Sequence, residues 1–145
     1  MTCPRCRQPA LTVHTVAAEA TAASVAVYGE PLTVHRCHAC DHREVAPSLG
    51  SAARSASAES LPVARRRLAR GDACRSCGTA LTMPARRTVR VVTATPQGSP
   101  VTTLRFDVPM TRCPGCGLDQ LPSRAGGDVD AALTALLHAA IATVG

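Results

Sequence analysis

The sequence predicts a small, metal-stabilised all-β fold, built from two tandem zinc ribbons and a C-terminal amphipathic helix. The 145 residues include eight Cys but only one Tyr, one Phe and no Trp, so aromatic rings add little buried area to a core. The Cys occur as four C-x-x-C pairs, and a segment near the C-terminus has apolar residues at helical spacing. We therefore expect bound metal to replace part of the hydrophobic core.

The four pairs predict two tetrahedral Cys₄ sites that bind two Zn²⁺ ions. A C-x-x-C turn places two thiolates on one side of the backbone, and a second turn completes the coordination of a shared ion. Four thiolates suit Zn²⁺, with a rubredoxin-type iron site as the main alternative. Isolated buried thiols and a thioredoxin-like dithiol explain the pairing less well. The predicted ligands are Cys3, Cys6, Cys37, Cys40, Cys74, Cys77, Cys113 and Cys116.

The residues around the pairs indicate an internal duplication. Ala10-Leu11-Thr12 follows the first pair, and Ala80-Leu81-Thr82 follows the third. The first two pairs therefore bound one ribbon, residues 1–48, and the last two bound a second, residues 72–123. We expect each ribbon to close its own metal site, with a cross-brace between the first and third pairs as the alternative.

The residue after each C-x-x-C distinguishes the two ribbons. Gly78 and Gly117 follow the pairs of the second ribbon, whereas Arg7 and Asp41 stand there in the first. Glycine accepts the positive φ that such a turn often needs. We therefore expect the first ribbon to be the less regular of the two.

Alternating apolar residues predict a β-hairpin inside the second ribbon. Leu104, Phe106 and Val108 alternate with polar residues in a segment that leads into Cys113, which is typical of a half-buried strand. Residues 88–93 are the expected partner strand, and the Pro- and Gly-containing segment between them is typical of a turn.

Residues 49–71 predict a linker with a short basic helix. Residues 49–61 are rich in Ser and Ala without an apolar stripe, a composition typical of a flexible linker. Pro62 suits the first position of a helix extending to Arg70, and Gly71 suits the position after its end.

Residues 124–145 predict the C-terminal helix. Asp128 can cap a helix that runs from Val129 to about Val144, because a carboxylate satisfies free N–H groups at a helix start. We expect its apolar face to bind a protein partner or a second copy; covering a ribbon of the same chain is the alternative. The candidate interface residues are Val129, Leu133, Leu136, Leu137 and Ile141.

The positive charge raises the question of a nucleic-acid partner. The formal net charge is +6, and all sixteen basic residues are Arg. Eight zinc-bound thiolates would reduce this to about +2, and the aromatic residues that stack on bases are nearly absent. The candidate phosphate contacts lie in the linker and the second ribbon, at Arg65, Arg66, Arg67, Arg86, Arg87 and Arg90.

Several function classes find no support in the sequence. No run of about 18 apolar residues is present, and the N-terminus lacks the apolar region of a secretory signal. We therefore expect no membrane association and a cytoplasmic location, where thiols stay reduced. No nucleophile elbow or Gly-rich phosphate loop is present, so we expect neither catalysis nor a small-molecule substrate.

The second ribbon resembles the YgiT-type zinc finger, the N-terminal zinc domain of MqsA-like antitoxins. The matching residues are Cys74-Arg75-Ser76-Cys77-Gly78 and the segment from Val108-Pro109 to Cys116-Gly117. The first ribbon looks like a diverged copy. This resemblance implies structural zinc, a β-hairpin fold and a surface that can dock a toxin. In that family a separate helix-turn-helix domain binds DNA, whereas the residues after Pro122 have the length of one helix.

These observations predict a non-catalytic zinc adaptor that binds a protein partner through its ribbons and C-terminal helix. The alternative is a nucleic-acid-binding zinc-ribbon module of the transcription or antitoxin type.

Overall fold

A computed structural model describes residues 1–68 and 71–145. The protein is mostly β, with two helices on one face of an antiparallel sheet. No helix in these residues has the length and apolar character needed to cross a membrane. The strands are β1 (Leu11–Ala22), β2 (Val25–Cys37), β3 (Arg43–Val45), β4 (Arg65–Arg67), β5 (Gly71–Ala73), β6 (Arg86–Ala94), β7 (Thr102–Arg112) and β8 (Asp119–Gln120), and the helices are α1 (Leu49–Ser60) and α2 (Gly126–Thr143).

The two hairpins form one sheet, which corrects the prediction of two separate ribbons. The main strand order is β1-β2-β7-β6, with β3 beside β2 and β8 beside β7. The predicted hairpin of β6 and β7 is confirmed. At the β2–β7 seam, Val27 pairs with Phe106, and Gly29 pairs with Leu104. All four residues are buried, so joining the hairpins removes apolar surface from water that neither could cover alone.

The duplication extends beyond the ribbons. Each half contains a C-x-x-C turn, a hairpin, a second C-x-x-C turn, a short strand and a helix. The helices are exchanged between the halves: α1, which follows the first hairpin, packs on β6, and α2, which follows the second, packs on β1 and β2. Each half therefore supplies the helix that covers the hairpin of the other.

Helix α1 replaces the flexible linker predicted for residues 49–61. Its buried residues are Leu49, Ala53 and Ser57, spaced four apart on one face. Two of these side chains are small, so the apolar stripe is nearly invisible in the sequence. Alanine has the strongest intrinsic helix preference, and packing against the sheet stabilises the rest.

The basic helix predicted after Pro62 is also wrong. Arg65–Arg67 forms β4, which pairs with β5; Ala69 and Arg70 lie outside the described residues. Just before β4, the Ala64 N–H donates to the Leu121 carbonyl, and the Leu121 N–H donates to the Pro62 carbonyl, both at 2.8 Å. This long-range backbone pairing keeps the segment extended and overrides the local helix signal.

Helix α2 begins earlier than predicted, at Gly126, and Asp128 lies inside its first turn. Four of the five candidate interface residues, Val129, Leu133, Leu136 and Leu137, are buried in the protein's own core. The fifth, Ile141, is partly buried and packs against that core. The interface prediction is therefore wrong for this stripe, because the joined sheet is wide enough to cover both helices.

Candidate metal centres

The eight Cys form two clusters, and each cluster contains the two consecutive C-x-x-C pairs of one predicted ribbon. The first centre is Cys3, Cys6, Cys37 and Cys40; the second is Cys74, Cys77, Cys113 and Cys116. The sulfur atoms of each cluster lie within 4.8 Å of one another. The cross-brace alternative is therefore wrong, and each half of the duplication closes its own centre.

The sulfur spacing fits a tetrahedral ion. The Cys6 and Cys37 sulfurs are 3.6 Å apart, and the Cys77 and Cys113 sulfurs are 3.5 Å apart. Four thiolates bound 2.3 Å from one zinc ion would be roughly 3.8 Å apart. The residues therefore fit a Cys₄ metal ion, and four protein ligands leave no coordination position for water or substrate.

All four C-x-x-C turns have the same backbone hydrogen bonds. In each turn, the N–H of the residue four positions after the first Cys donates to the carbonyl of that Cys, over 2.8–3.0 Å. This residue has positive φ in every case: Arg7 63°, Asp41 61°, Gly78 76° and Gly117 78°. The first ribbon was expected to be the less regular, but its turns have the same conformation as those of the second; Arg7 and Asp41 are L-residues at positions where glycine is favoured.

The two centres differ in exposure. The first Cys of every pair is buried. The second Cys is partly buried in the first centre, at Cys6 and Cys40, but exposed in the second, at Cys77 and Cys116. A metal ion in the second centre would therefore have solvent on one side.

In the second centre, hydrogen bonds favour ionisation of one thiol and oppose that of another. The backbone N–H of Cys77 and then the side-chain amide of Gln120 lower the pKa of Cys74 to about 6. The backbone N–H of Leu118 favours the Cys116 thiolate, but hydrogen bonding with Cys74 and partial desolvation of the sulfur outweigh it and raise the pKa of Cys116 to about 12.

The first centre shows the same division. Burial opposes ionisation of Cys37, but the backbone N–H groups of Cys40 and Ala39 outweigh it and lower the pKa of Cys37 to about 7. The N–H of His42 favours the Cys40 thiolate, yet burial and the neighbouring sulfurs raise the pKa of Cys40 to about 12. Four adjacent thiolates thus need a cation to be charged together.

Gln120 and Thr79 are site residues that the sequence analysis missed. The Gln120 side chain donates to the Cys74 sulfur at 3.3 Å, and the Thr79 hydroxyl lies 3.1 Å from the Cys77 sulfur. Their only sequence signal is closeness to a C-x-x-C pair, which many other polar residues share.

Of the candidate phosphate contacts, three are already engaged. Arg87 pairs with Asp107 and Arg90 with Asp119, each at 3.0 Å, and Arg67 donates to the Gly78 carbonyl. The other three, Arg65, Arg66 and Arg86, form no ion pair or side-chain hydrogen bond with any residue of 1–68 or 71–145. Arg66 and Arg124 help to line a cavity of about 690 Å³, together with Asp72 and Thr111.

The sheet face opposite the helices carries exposed apolar residues. The exposed fractions are 55% for Val13, 39% for Tyr28, 59% for Val89 and 60% for Val91. Tyr28 and Val91 lie in one cross-strand row, on either side of Arg105. We call this surface the open face.

Comparison with known proteins gave no match to a protein-family model, a curated protein or a solved structure. The resemblance to YgiT-type zinc fingers therefore rests on residues 74–78 and 108–117 alone.

Proposed function

We propose that this chain is a non-catalytic adaptor, folded around two zinc ions, which binds a protein partner through its open face. The exposed apolar residues of that face carry the proposal. Tyr28 and Val89 line one groove of this face, and Val91 lies in the same cross-strand row as Tyr28; exposed apolar side chains grouped in this way mark a binding surface. A cytoplasmic location, where the thiols stay reduced, is part of the same proposal.

Zinc is favoured because four thiolates at tetrahedral spacing suit it, and a closed Cys₄ set gives the metal a structural role. The YgiT-type resemblance supports the same metal. Metal analysis of the purified full-length chain should find two zinc ions per chain in a colourless protein. Coloured protein that contains iron would contradict the zinc assignment, and a folded, metal-free protein would contradict the proposal as a whole.

A second copy of the chain is the partner that the charges favour. Glu19 and Glu30 lie on the β1–β2 half of the open face, whereas Arg87 and Arg105 lie on the β6–β7 half together with Asp107. A copy rotated by 180° about an axis parallel to the strands would place the acidic half over the more basic half. Such an arrangement buries the valines and matches the charges in one interface.

The oligomeric state tests this interface. We expect wild-type protein to form a dimer in size-exclusion chromatography with light scattering, and Val91→Asp to be monomeric with unchanged zinc content. Val101→Asp is the matched control, since Val101 is 48% exposed but lies outside the strands. A wild-type chain that stays monomeric at high concentration would exclude a second copy as the occupant.

Nucleic-acid binding is the second candidate, and it is favoured by arginines whose side chains have no ion pair or hydrogen bond within residues 1–68 and 71–145. Arg66 and Arg124 line the cavity of about 690 Å³, and Arg65 and Arg86 are also exposed. If they contact phosphates, affinity for a labelled oligonucleotide should fall steeply with salt, and Arg66→Gln with Arg124→Gln should reduce the slope. Arg54→Gln is the control, because Arg54 pairs with Asp130 on α2. A flat salt response would contradict this candidate.

A further inference from the structure

We propose that Gln120 is a positioning residue for the second metal centre, where its side-chain amide holds the Cys74 thiolate and strengthens metal binding. The proposal rests on the proposed function in one respect, namely that a metal ion binds the Cys₄ centre. It assigns to a residue that is not itself a ligand the task of keeping one ligand charged and in place.

The hydrogen bonds of Gln120 fix the orientation of its amide. The residue is fully buried, with 0% of its surface exposed. Its Oε1 accepts the backbone N–H of Arg75 at 2.8 Å. A backbone N–H can only donate, so the oxygen must face Arg75 and the NH₂ group must face the other way. There the Nε2 donates to the Cys74 Sγ at 3.3 Å and to the Leu118 carbonyl at 3.3 Å.

The position of Gln120 in the sheet links the two C-x-x-C turns of this centre. It lies on β8, four residues after Cys116, and pairs with Thr111 of β7. Its side chain reaches the other turn, at Cys74 and Arg75, which lies 45 residues earlier in the chain. One buried side chain therefore connects the two C-x-x-C turns that supply the ligands of this centre.

In the first centre, a glutamate stands at the position equivalent to Gln120. Glu44 occupies the equivalent register on β3, opposite His35 of β2. Its side chain is 35% exposed, and its carboxylate lies 3.3 Å from His42 Nε2. Among the residues that the structure describes, no side chain outside the Cys themselves donates to a sulfur of the first centre. The duplicated halves thus hold their ligands by different means.

Charge-assisted hydrogen bonds to a metal-bound thiolate stabilise its negative charge and limit its motion. Residues that hold ligands in this way typically change metal affinity by about 10- to 100-fold when they are replaced. A merely structural Gln120 would instead brace the backbone at Arg75 and would affect the fold as a whole. Two variants separate these roles: Gln120→Met removes both donor and acceptor with little change in shape, whereas Gln120→Glu keeps the acceptor for the Arg75 N–H.

The experiment uses the full-length chain loaded with ¹¹³Cd²⁺, together with zinc competition against a chromophoric chelator. In Gln120→Met we expect zinc affinity of the second centre to fall by about 10- to 100-fold. Its cadmium resonance, assigned through coupling to the Cys74 β-protons, should move, while the resonance of the first centre stays in place. We expect Gln120→Glu to bind zinc at the second centre more weakly than the wild type, as Gln120→Met does, because it supplies no amide donor to the sulfur. Gln97→Met, in the β6–β7 turn, is the matched control.

Two results would overturn the inference. One is a zinc affinity of the second centre that equals the wild-type value in either Gln120→Met or Gln120→Glu. The other is an equal loss at both centres together with a large fall in Tm, which would indicate a brace for the fold. A wild-type chain that binds no metal would instead contradict the proposed function, so the two failures can be told apart.

Discussion

Asp128, in the first turn of α2, accepts a 2.8 Å hydrogen bond from the hydroxyl of Ser24, which lies 104 residues earlier in the turn between β1 and β2. The carboxylate is also near the positive end of the helix dipole, where a negative charge is stabilised. This contact fastens the helix of the second half to the hairpin of the first. The contact is part of the helix exchange, in which α2 of the second half packs on the hairpin of the first.

Removal of this carboxylate should measure the strength of the attachment. We expect Asp128→Ala to lower the free energy of unfolding by about 1.5–3 kcal/mol, since hydrogen bonds to charged groups contribute this much. A double-mutant cycle with Ser24→Ala in urea should show a coupling energy of about 0.5–1.5 kcal/mol. Asp130→Ala is the control on the same helix; its exposed pair with Arg54 should contribute under about 1 kcal/mol. If the losses of stability in Ser24→Ala and Asp128→Ala are strictly additive, the hydrogen bond between the two residues does not stabilise the fold.

The shared sheet and exchanged helices predict a single cooperative unit. Structural zinc sites in small peptides contribute on the order of 10 kcal/mol, comparable to the whole stability of a small domain. We therefore expect Cys113→Ser to unfold both halves in one transition and to release zinc from both centres. Circular dichroism during heating, with zinc released into a metal indicator, measures both. Cys37→Ser, at the equivalent position of the first half, should behave alike; a first centre that keeps its zinc in Cys113→Ser would show independent halves.

Local patterns in the sequence were sufficient for some of this architecture. The eight ligands follow from C-x-x-C spacing, their grouping into two sets follows from the repeated residues after the first and third pairs, and β6 and β7 follow from alternation of residues such as Val92, Leu104 and Phe106. The stripe of α1 was missed because Ala53 and Ser57 are too small to stand out in a Ser- and Ala-rich segment. The β2–β7 seam was missed because long-range pairing leaves no periodic signal in either strand. The site role of Gln120 depends on both, since its side chain crosses between segments 45 residues apart.

Metal binding should release protons, because the metal displaces them from thiols whose pKa values are raised. Cys40 and Cys116 have pKa values raised to about 12, so both are protonated thiols at pH 7.5 before a metal displaces the proton. Each centre should release at least one proton, and apparent affinity should rise by at least about tenfold per pH unit. Calorimetric titration of zinc at pH 7.5 in buffers of different ionisation enthalpy counts these protons. Binding enthalpies that are equal in all buffers would contradict the prediction.

Arg7 offers a direct way to stabilise the first centre. Its φ of 63° is a conformation that costs an L-residue about 1–2 kcal/mol, whereas glycine adopts it freely but loses more chain entropy on folding. We expect Arg7→Gly to raise the free energy of unfolding by a net of about 0.5–1 kcal/mol and to slow zinc release from the first centre. Asp41→Gly is the comparison: Asp tolerates positive φ better, and Asp41 pairs with Arg36 at 2.9 Å, so its replacement should gain little. The complementary change, Gly78→Arg, imposes the same conformation on an L-residue in the second centre and should lower stability by a similar amount. Denaturation of the zinc-loaded chain in urea measures all three, and an Arg7→Gly protein less stable than wild type would show that the Arg7 side chain stabilises the turn by more than its backbone strain costs.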